Sequence, residues 1–262
     1  MPPIHDFTHA IIRRPARAVV KGVRAGGGPD PTYEGVANEH AAYASALVNA
    51  GLAVTVLPAL EDFPDSVFVE DPALVFAEGA VLLRPGAPSR AGEVATIEPC
   101  LREKFETVLT LEEGRADGGD VLATPERVMI GLSARTDKAG GEALMRLLAK
   151  FGRRAAIVET PKDVLHFKTD CALIDDETVL TTKRLARSGV FKDFREIIVP
   201  EGEEAAANAL RIRGALFIGA RFASTIRLLE KAGYSVIPLP TDEIGKIDAG
   251  LSCMSLRWRE AA

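Results

Sequence analysis

The sequence predicts an α/β chain arranged as a closed ring of five ββαβ units. Three observations predict it: a hydrophobic pattern recurring about every fifty residues, a polar residue before the first strand of each copy, and chain ends that supply the two halves of one copy. Joining the terminal strands removes open sheet edges, a physical reason for closure. The alternative is an open α/β sheet with coincidental spacing; the recurrent polar residue favours the ring.

The clearest copy begins at Asp71. Residues 73–76 read as a strand, Glu78-Gly79 as the turn and 80–83 as the return strand; 90–105 is helix-like despite Pro99, and 106–111 closes the unit. The second copy starts at Asp120, with strands at 121–123 and 128–132 around a Pro125-Glu126 turn. Leu144, Leu147, Leu148 and Phe151 then share one helical face, Gly152 caps the helix, and 155–158 is the third strand. The third copy starts at Asp170, with strands at 172–174 and 178–181 and a helix somewhere in 184–194. The fourth starts near Asn208, with strands at 210–212 and 216–219, a helix over 224–232 ending at Gly233, and a strand at 235–239. The fifth is split: 254–258 and 8–13 are its first two strands, 34–50 its helix, capped by Gly51, and 52–57 its last strand. In such a ring Asp71, Asp120, Asp170, Asn208 and Cys253 stand at equivalent starts and converge on the axis, giving an acidic cavity suited to a cationic ligand.

The chain has 262 residues, 47% hydrophobic and 26% charged, with a net charge of -5. That balance suits one globular domain over 1–262 and gives no basic footprint for nucleic acid. No apolar run approaches the roughly 20 residues that span a bilayer, and residues 1–6 lack a signal-peptide pattern. Three cysteines, at 100, 171 and 253, match no metal-ligand spacing and no disulfide framework. The expectation is a reduced, cytoplasmic protein.

Cys253 has small polar flanks in Leu251-Ser252-Cys253-Met254-Ser255, which leave it open to solvent and to use as a nucleophile. By position alone the ordinary fate of a lone cysteine, a small buried hydrophobe, is the favoured reading. Cys171 opens an apolar strand and Cys100 lies in a helix, so both read as packing residues. His166, just before a unit start, can move protons near neutral pH, or can simply bond a backbone carbonyl. His5, His9 and His40 fall in a terminal segment, an edge-type strand and a helix. The carboxylates of Asp65, Glu70 and Asp71 bracket an apolar run and match the donors of a guanidinium; the plainer reading is a turn with solvated charges. Asp117-Gly118-Gly119-Asp120 also reads as a turn.

Together these segments resemble the dimethylarginine dimethylaminohydrolases, guanidine-modifying enzymes of the pentein superfamily, along essentially the whole chain. The matching stretches are Thr8-His9-Ala10, DSVFVED at 65–71, RPGAPSR at 84–90, DGGDV at 117–121, GLSART at 131–136, LHFKT at 165–169 and LSCMS at 251–255. The resemblance implies a five-bladed ββαβ propeller, the pentein fold, which agrees with the repeat. It implies Cys253 as nucleophile, His166 as general acid/base and Asp117 as the acidic residue supporting the histidine. It places the guanidinium between Glu70 and Asp71, the α-amino end at Asp65 and the α-carboxylate at Arg90 and Arg135, with backbone contacts from Val23 and Ile247. Met254 stands where some relatives carry a second cysteine. The implied reaction converts Nω-methylated arginine to citrulline through a covalent thiouronium, without metal or organic cofactor. A small-molecule substrate is the partner expected; homodimerisation is compatible with the resemblance.

Rival activities are those of other guanidine-modifying enzymes: arginine deiminase, citrulline hydrolase or amidinotransferase. Arginine deiminases typically carry Arg-Asp where this chain has Glu70-Asp71. A non-catalytic binding protein on the same fold is the rival from another class, and it has no need of both Cys253 and His166.

Overall fold

A computed structural model describes residues 4–24, 26–162 and 164–260. The chain opens with β1 (His9–Arg13), α1 (Tyr33–Asn49) and β2 (Ala53–Leu57). Next come β3 (Ala73–Phe76), β4 (Gly79–Leu82), α2 (Glu93–Lys104) and β5 (Val108–Thr110), then β6 (Val121–Ala123), β7 (Val128–Leu132), α3 (Lys138–Lys150) and β8 (Ala155–Glu159). The fourth group is β9 (Cys171–Leu173), β10 (Thr178–Thr181), α4 (Lys183–Ala186) and β11 (Arg195–Ile198). The last is β12 (Leu210–Ile212), β13 (Ala215–Gly219), α5 (Ala223–Lys231) and β14 (Ser235–Leu239), after which β15 (Leu256–Trp258) returns to β1.

These strands form five three-stranded sheets with one plan. The middle strand pairs antiparallel with the first, through a hairpin, and parallel with the third, through a helical crossover. The split blade obeys the same plan: Ala10 of β1 faces Arg257 of β15 on one side and Val54 of β2 on the other. Pro238 lies on β14, an outer strand, where its missing N–H interrupts no ladder.

Local chemistry sets the helix boundaries. Thr32 caps α1 by accepting from Gly35 N–H at 3.1 Å, and Asp137 caps α3 by accepting from Gly140 N–H at 2.8 Å. Gly51 follows α1 with φ +87°, a left-handed turn that a side chain would strain.

Blades are held to each other rather than each to itself. One hydrophobic cluster joins Ile11 and Leu256 to Ala73, Ala80 and Leu82; the next joins Leu74 and Val81 to Val121, Ile130 and Leu144. Further clusters join Leu122 and Met129 to Cys171 and Val179, and Ala172 and Leu180 to Leu216 and Ile218. The last joins Leu210, Ile212 and Phe217 to Ala10, Ile12 and the inner face of α1 (Val36, Tyr43, Leu47). Five seams therefore close the ring, and each fully buried aliphatic or aromatic side chain contributes on the order of 1.5–3 kcal/mol.

The expected elements and the structure differ at few points. In the fourth group the helix is a single turn, Lys183–Ala186, because Ser188 and Gly189 take the chain into turns before Phe194. β15 begins at Leu256 because 252–254 form a 3-10 turn that presents Cys253. His9 lies on the middle strand of its sheet, stacked on Trp258, and not on an edge.

Candidate active site

Cys253 sits on the turn before β15, with its backbone N–H bonded to Gly250 O. It lines a narrow cleft of about 40 Å³ with His166, Asp65, Asp71, Arg90, Arg135, Val23, Leu165 and Ile247. The axis holds a second, larger cavity of about 610 Å³, walled by the first strand of every blade. Neither Cys253 nor His166 lines it; the cleft brings the two together.

His166 Nε2 meets Asp117 Oδ2 at 3.0 Å, and Asp117 is completely buried. The carboxylate is fixed by Gly86 N–H at 2.6 Å on its other oxygen, so it orients the imidazole. Asp120 secures the strand behind the ring: it accepts from Phe167 N–H at 2.8 Å and from Ser133 and Thr136 hydroxyls at 2.6 Å. Gly119 packs so closely that an added Cβ would lie 2.8 Å from His166 Nδ1 and 3.0 Å from Asp71 Oδ1.

Asp71 accepts from Gly119 N–H at 3.0 Å and from Arg90 Nη1. Burial alone would raise its pKa, but the Arg90 guanidinium overrides burial and holds it below the ordinary carboxylate value. Burial likewise opposes protonation of His166, yet Asp71, Asp117 and Asp120 push it up to about 9. Burial, then Glu70 and Asp71, push the Cys253 thiol up to about 12. The cleft therefore holds a protonated thiol and an imidazolium.

The ligating atoms of Asp71, Asp117 and His166 lie within 4.8 Å of one another, a spacing a cation could use. Their oxygens and ring nitrogen are already engaged by Arg90, Gly119, Gly86 and each other, which suits proton transfer better than metal binding.

Comparison with known proteins fits this geometry. The arginine deiminase family profile matches residues 45–211. The N(G),N(G)-dimethylarginine dimethylaminohydrolase of Pseudomonas aeruginosa is 37% identical over 96% of this chain and 100% of its own length. The chain belongs to the dimethylarginine dimethylaminohydrolase family. The Streptomyces coelicolor protein of the same name is 32% identical over 96% of this chain and 97% of its own. A cysteine-to-serine mutant of the Pseudomonas aeruginosa dimethylarginine dimethylaminohydrolase, complexed with citrulline, superposes with a TM-score of 0.92 at 36% identity, covering 96% of this chain and 99% of that one.

Most residues that the dimethylarginine dimethylaminohydrolase resemblance implied are brought together here. Cys253, His166, Asp65, Asp71, Arg90, Arg135, Val23 and Ile247 all line the cleft, and Asp117 stands directly behind His166. Glu70 is the exception. Its carboxylate turns to the axial cavity, where it binds Lys168 Nζ at 2.5 Å, Arg257 Nη2 at 3.2 Å and Ser252 Oγ at 3.0 Å. Two cations hold it there, so it acts on Cys253 through its charge and does not line the cleft. Arg90 reaches the cleft but is braced by Asp71, by Glu93 at 2.7 and 3.0 Å, and by Phe68 O at 2.8 Å, so its first task is to hold Asp71. Val23 commits its N–H to Asp65 Oδ1 at 2.9 Å, leaving its carbonyl for a ligand.

Of the unit starts, Asp71 and Asp120 both act on His166, and Asp71 also acts on Cys253. Asp120 and Asp170 each accept from the threonine after their own hairpins, Thr136 and Thr182, at 2.6 Å, and Asp170 also pairs with Arg184. Asn208 does reach Cys253. The sequence signal for it was its place in the repeat.

The raised thiol pKa has a direct readout. Thiolate forms only as pH climbs toward the raised value, so alkylation of Cys253 by iodoacetamide is expected to be slow at pH 7 and to rise about tenfold per pH unit through pH 10. A plateau near pH 9, measured by peptide mass, would mean an ordinary thiol.

Proposed function

We propose that this protein hydrolyses Nω-methylated arginines, asymmetric dimethylarginine and monomethylarginine, to citrulline and dimethylamine or methylamine. The observation that carries this reading is one cleft walled by Cys253, His166 backed by Asp117, and the carboxylates of Asp65 and Asp71. The names of the Pseudomonas and Streptomyces relatives support it.

Asp71 accepts from the substrate guanidinium and turns its central carbon to Cys253, so that attack is a positioned, intramolecular event. The arriving cation offsets the carboxylate field that keeps the thiol protonated, so the thiol releases its proton to solvent and attacks as the thiolate while His166 keeps its own proton. Sulfur bonds to the guanidinium carbon to give a tetrahedral centre. The imidazolium of His166 gives its proton to the departing amine as the C–N bond breaks, leaving a thiouronium on Cys253. Water then attacks that carbon while the neutral His166 takes its proton; the C–S bond breaks and citrulline leaves.

The α-amino group is assigned to Asp65 and the carbonyls of Val23 and Ile247, and the α-carboxylate to Arg135, whose guanidinium forms no ion pair among the described residues, with help from Arg90. Glu70 is assigned an electrostatic role. A cytoplasmic location and a homodimer accompany this reading, checked by fractionation and sedimentation.

Parallel incubation with asymmetric dimethylarginine, monomethylarginine, arginine and citrulline, scoring amine, ammonia and citrulline, tests the function. Release of ammonia from arginine faster than amine from either methylarginine would move the assignment to arginine deiminase. Arg135→Ala removes a charged contact remote from the reacting carbon, so KM rises roughly ten- to a hundredfold with kcat nearly constant. Unaltered KM removes Arg135 from the substrate site.

A further inference from the structure

We infer that Asn208 is the neutral donor that stabilises and aims the Cys253 thiolate, an inference resting on the reading of Cys253 as nucleophile. Asn208 ends the turn before β12, about 9% exposed, and reaches the nucleophile turn from the neighbouring blade. Its Oδ1 accepts from Ser252 N–H at 3.0 Å, and its Nδ2 donates to Cys253 Sγ at 3.8 Å. The amide orientation is forced: Ser252 N–H can only donate, so the oxygen must face it and the nitrogen must face the sulfur. One side chain therefore fixes the turn and supplies a hydrogen to the reacting atom.

The donor matters because the carboxylates around this sulfur oppose its ionisation. Glu70 and Asp71 act against the thiolate, and Lys168, already paired with Glu70, helps it weakly. Besides the Asn208 amide, the Gly250 backbone favours the thiolate. Asn208 also sets the position of that backbone, because the amide packs directly on Gly250: an added Cβ there would lie 2.3 Å from Asn208 Cγ. A cation in place of Asn208 would compete with the substrate guanidinium; an amide favours the thiolate without adding charge.

The test compares wild type, Asn208→Asp and Asn208→Ala in a Cys100→Ser background, since Cys171 is buried and Cys100 is half-buried. Asn208→Asp keeps the acceptor for Ser252 N–H and replaces only the hydrogen facing sulfur with a negative oxygen. The rate of iodoacetamide modification of Cys253 is followed across pH, together with kcat and KM for asymmetric dimethylarginine and the melting curve. Loss of a hydrogen bond to a charged group predicts alkylation at fixed pH slower by roughly ten- to a hundredfold in Asn208→Asp, with kcat falling in parallel and KM within about twofold. Asn208→Ala shifts the alkylation profile the same way by less. An Asn208→Asp protein that melts like wild type and alkylates on the wild-type pH profile overturns the inference. A shifted profile in a protein that turns over no methylarginine upholds Asn208 and removes the proposed substrate instead.

Discussion

Cys253→Ser and His166→Ala are each expected to lower citrulline formation by at least about 10⁴-fold, the scale seen when a member of a catalytic unit is removed. The two fail for different reasons. A serine hydroxyl is far harder to ionise than a thiol, and here burial with Glu70 and Asp71 already pushes the thiol up to about 12. The same field acts on the alcohol, and the nearest imidazole is itself protonated, held up to about 9 by Asp71 and Asp117 against burial. Serine is therefore left without a base, while substrate binding persists and calorimetry should detect it. His166→Ala keeps the thiol but removes the proton that the departing amine requires. It also leaves buried Asp117 with the Gly86 N–H alone, so about 1–3 kcal/mol of stability should go with it. Cys253→Ser should melt near wild type. Turnover within tenfold of wild type by either variant would end the assigned roles.

The raised imidazole also fixes how activity depends on pH. His166 must start as imidazolium to protonate the amine and must then accept a proton from water. The first demand weakens as pH rises through about 9; the second weakens as pH falls. The site therefore works best when the substrate cation lowers the thiol pKa without displacing the proton on His166.

Much of the ring was legible because hairpins and helices wrote separate periods into the sequence. Residues 121–123, 128–132, 178–181 and 235–239 were read with the bounds the structure gives. The fourth group was read least well: a helix of one turn carries no 3.6-residue period, and β11, which follows two turns, was missed. The site was legible only in part. Cys253 and His166 each had a plain alternative by position, and the family's motifs decided between them. Pairings across the chain left no local trace. Arg90, implied as a contact for the substrate's α-carboxylate, is buried with Glu93 around Asp71, and nothing near Glu70 announces Lys168 and Arg257. Asn208 was legible as a unit start that meets Cys253, but its role as a donor to a sulfur 45 residues away was not. Charge is local information, but its partners are a property of the fold.

Asp71→Asn is expected to separate reactivity from catalysis in opposite directions. The substitution keeps shape but turns one oxygen into a donor. Both oxygens now accept, one from Gly119 N–H and one from Arg90, so whichever way the amide is placed a donor faces a buried donor. Breaking the buried pair should cost about 3 kcal/mol, the low end for such pairs because Glu93 still holds Arg90, and should lower Tm by roughly 6–12 °C. Turnover should fall at least about 10³-fold, since the group that orients the guanidinium is gone. The charge acts the other way on the free groups. Asp71 raises the pKa of both Cys253 and His166, so its removal should lower both, and iodoacetamide should modify Cys253 faster at pH 7 than in wild type. General disorder of the site would not give that combination with a cooperative melt. If Asp71→Asn retained turnover, or slowed alkylation while still folded, the carboxylate would be neither the anchor for the substrate nor the charge that keeps the thiol at rest.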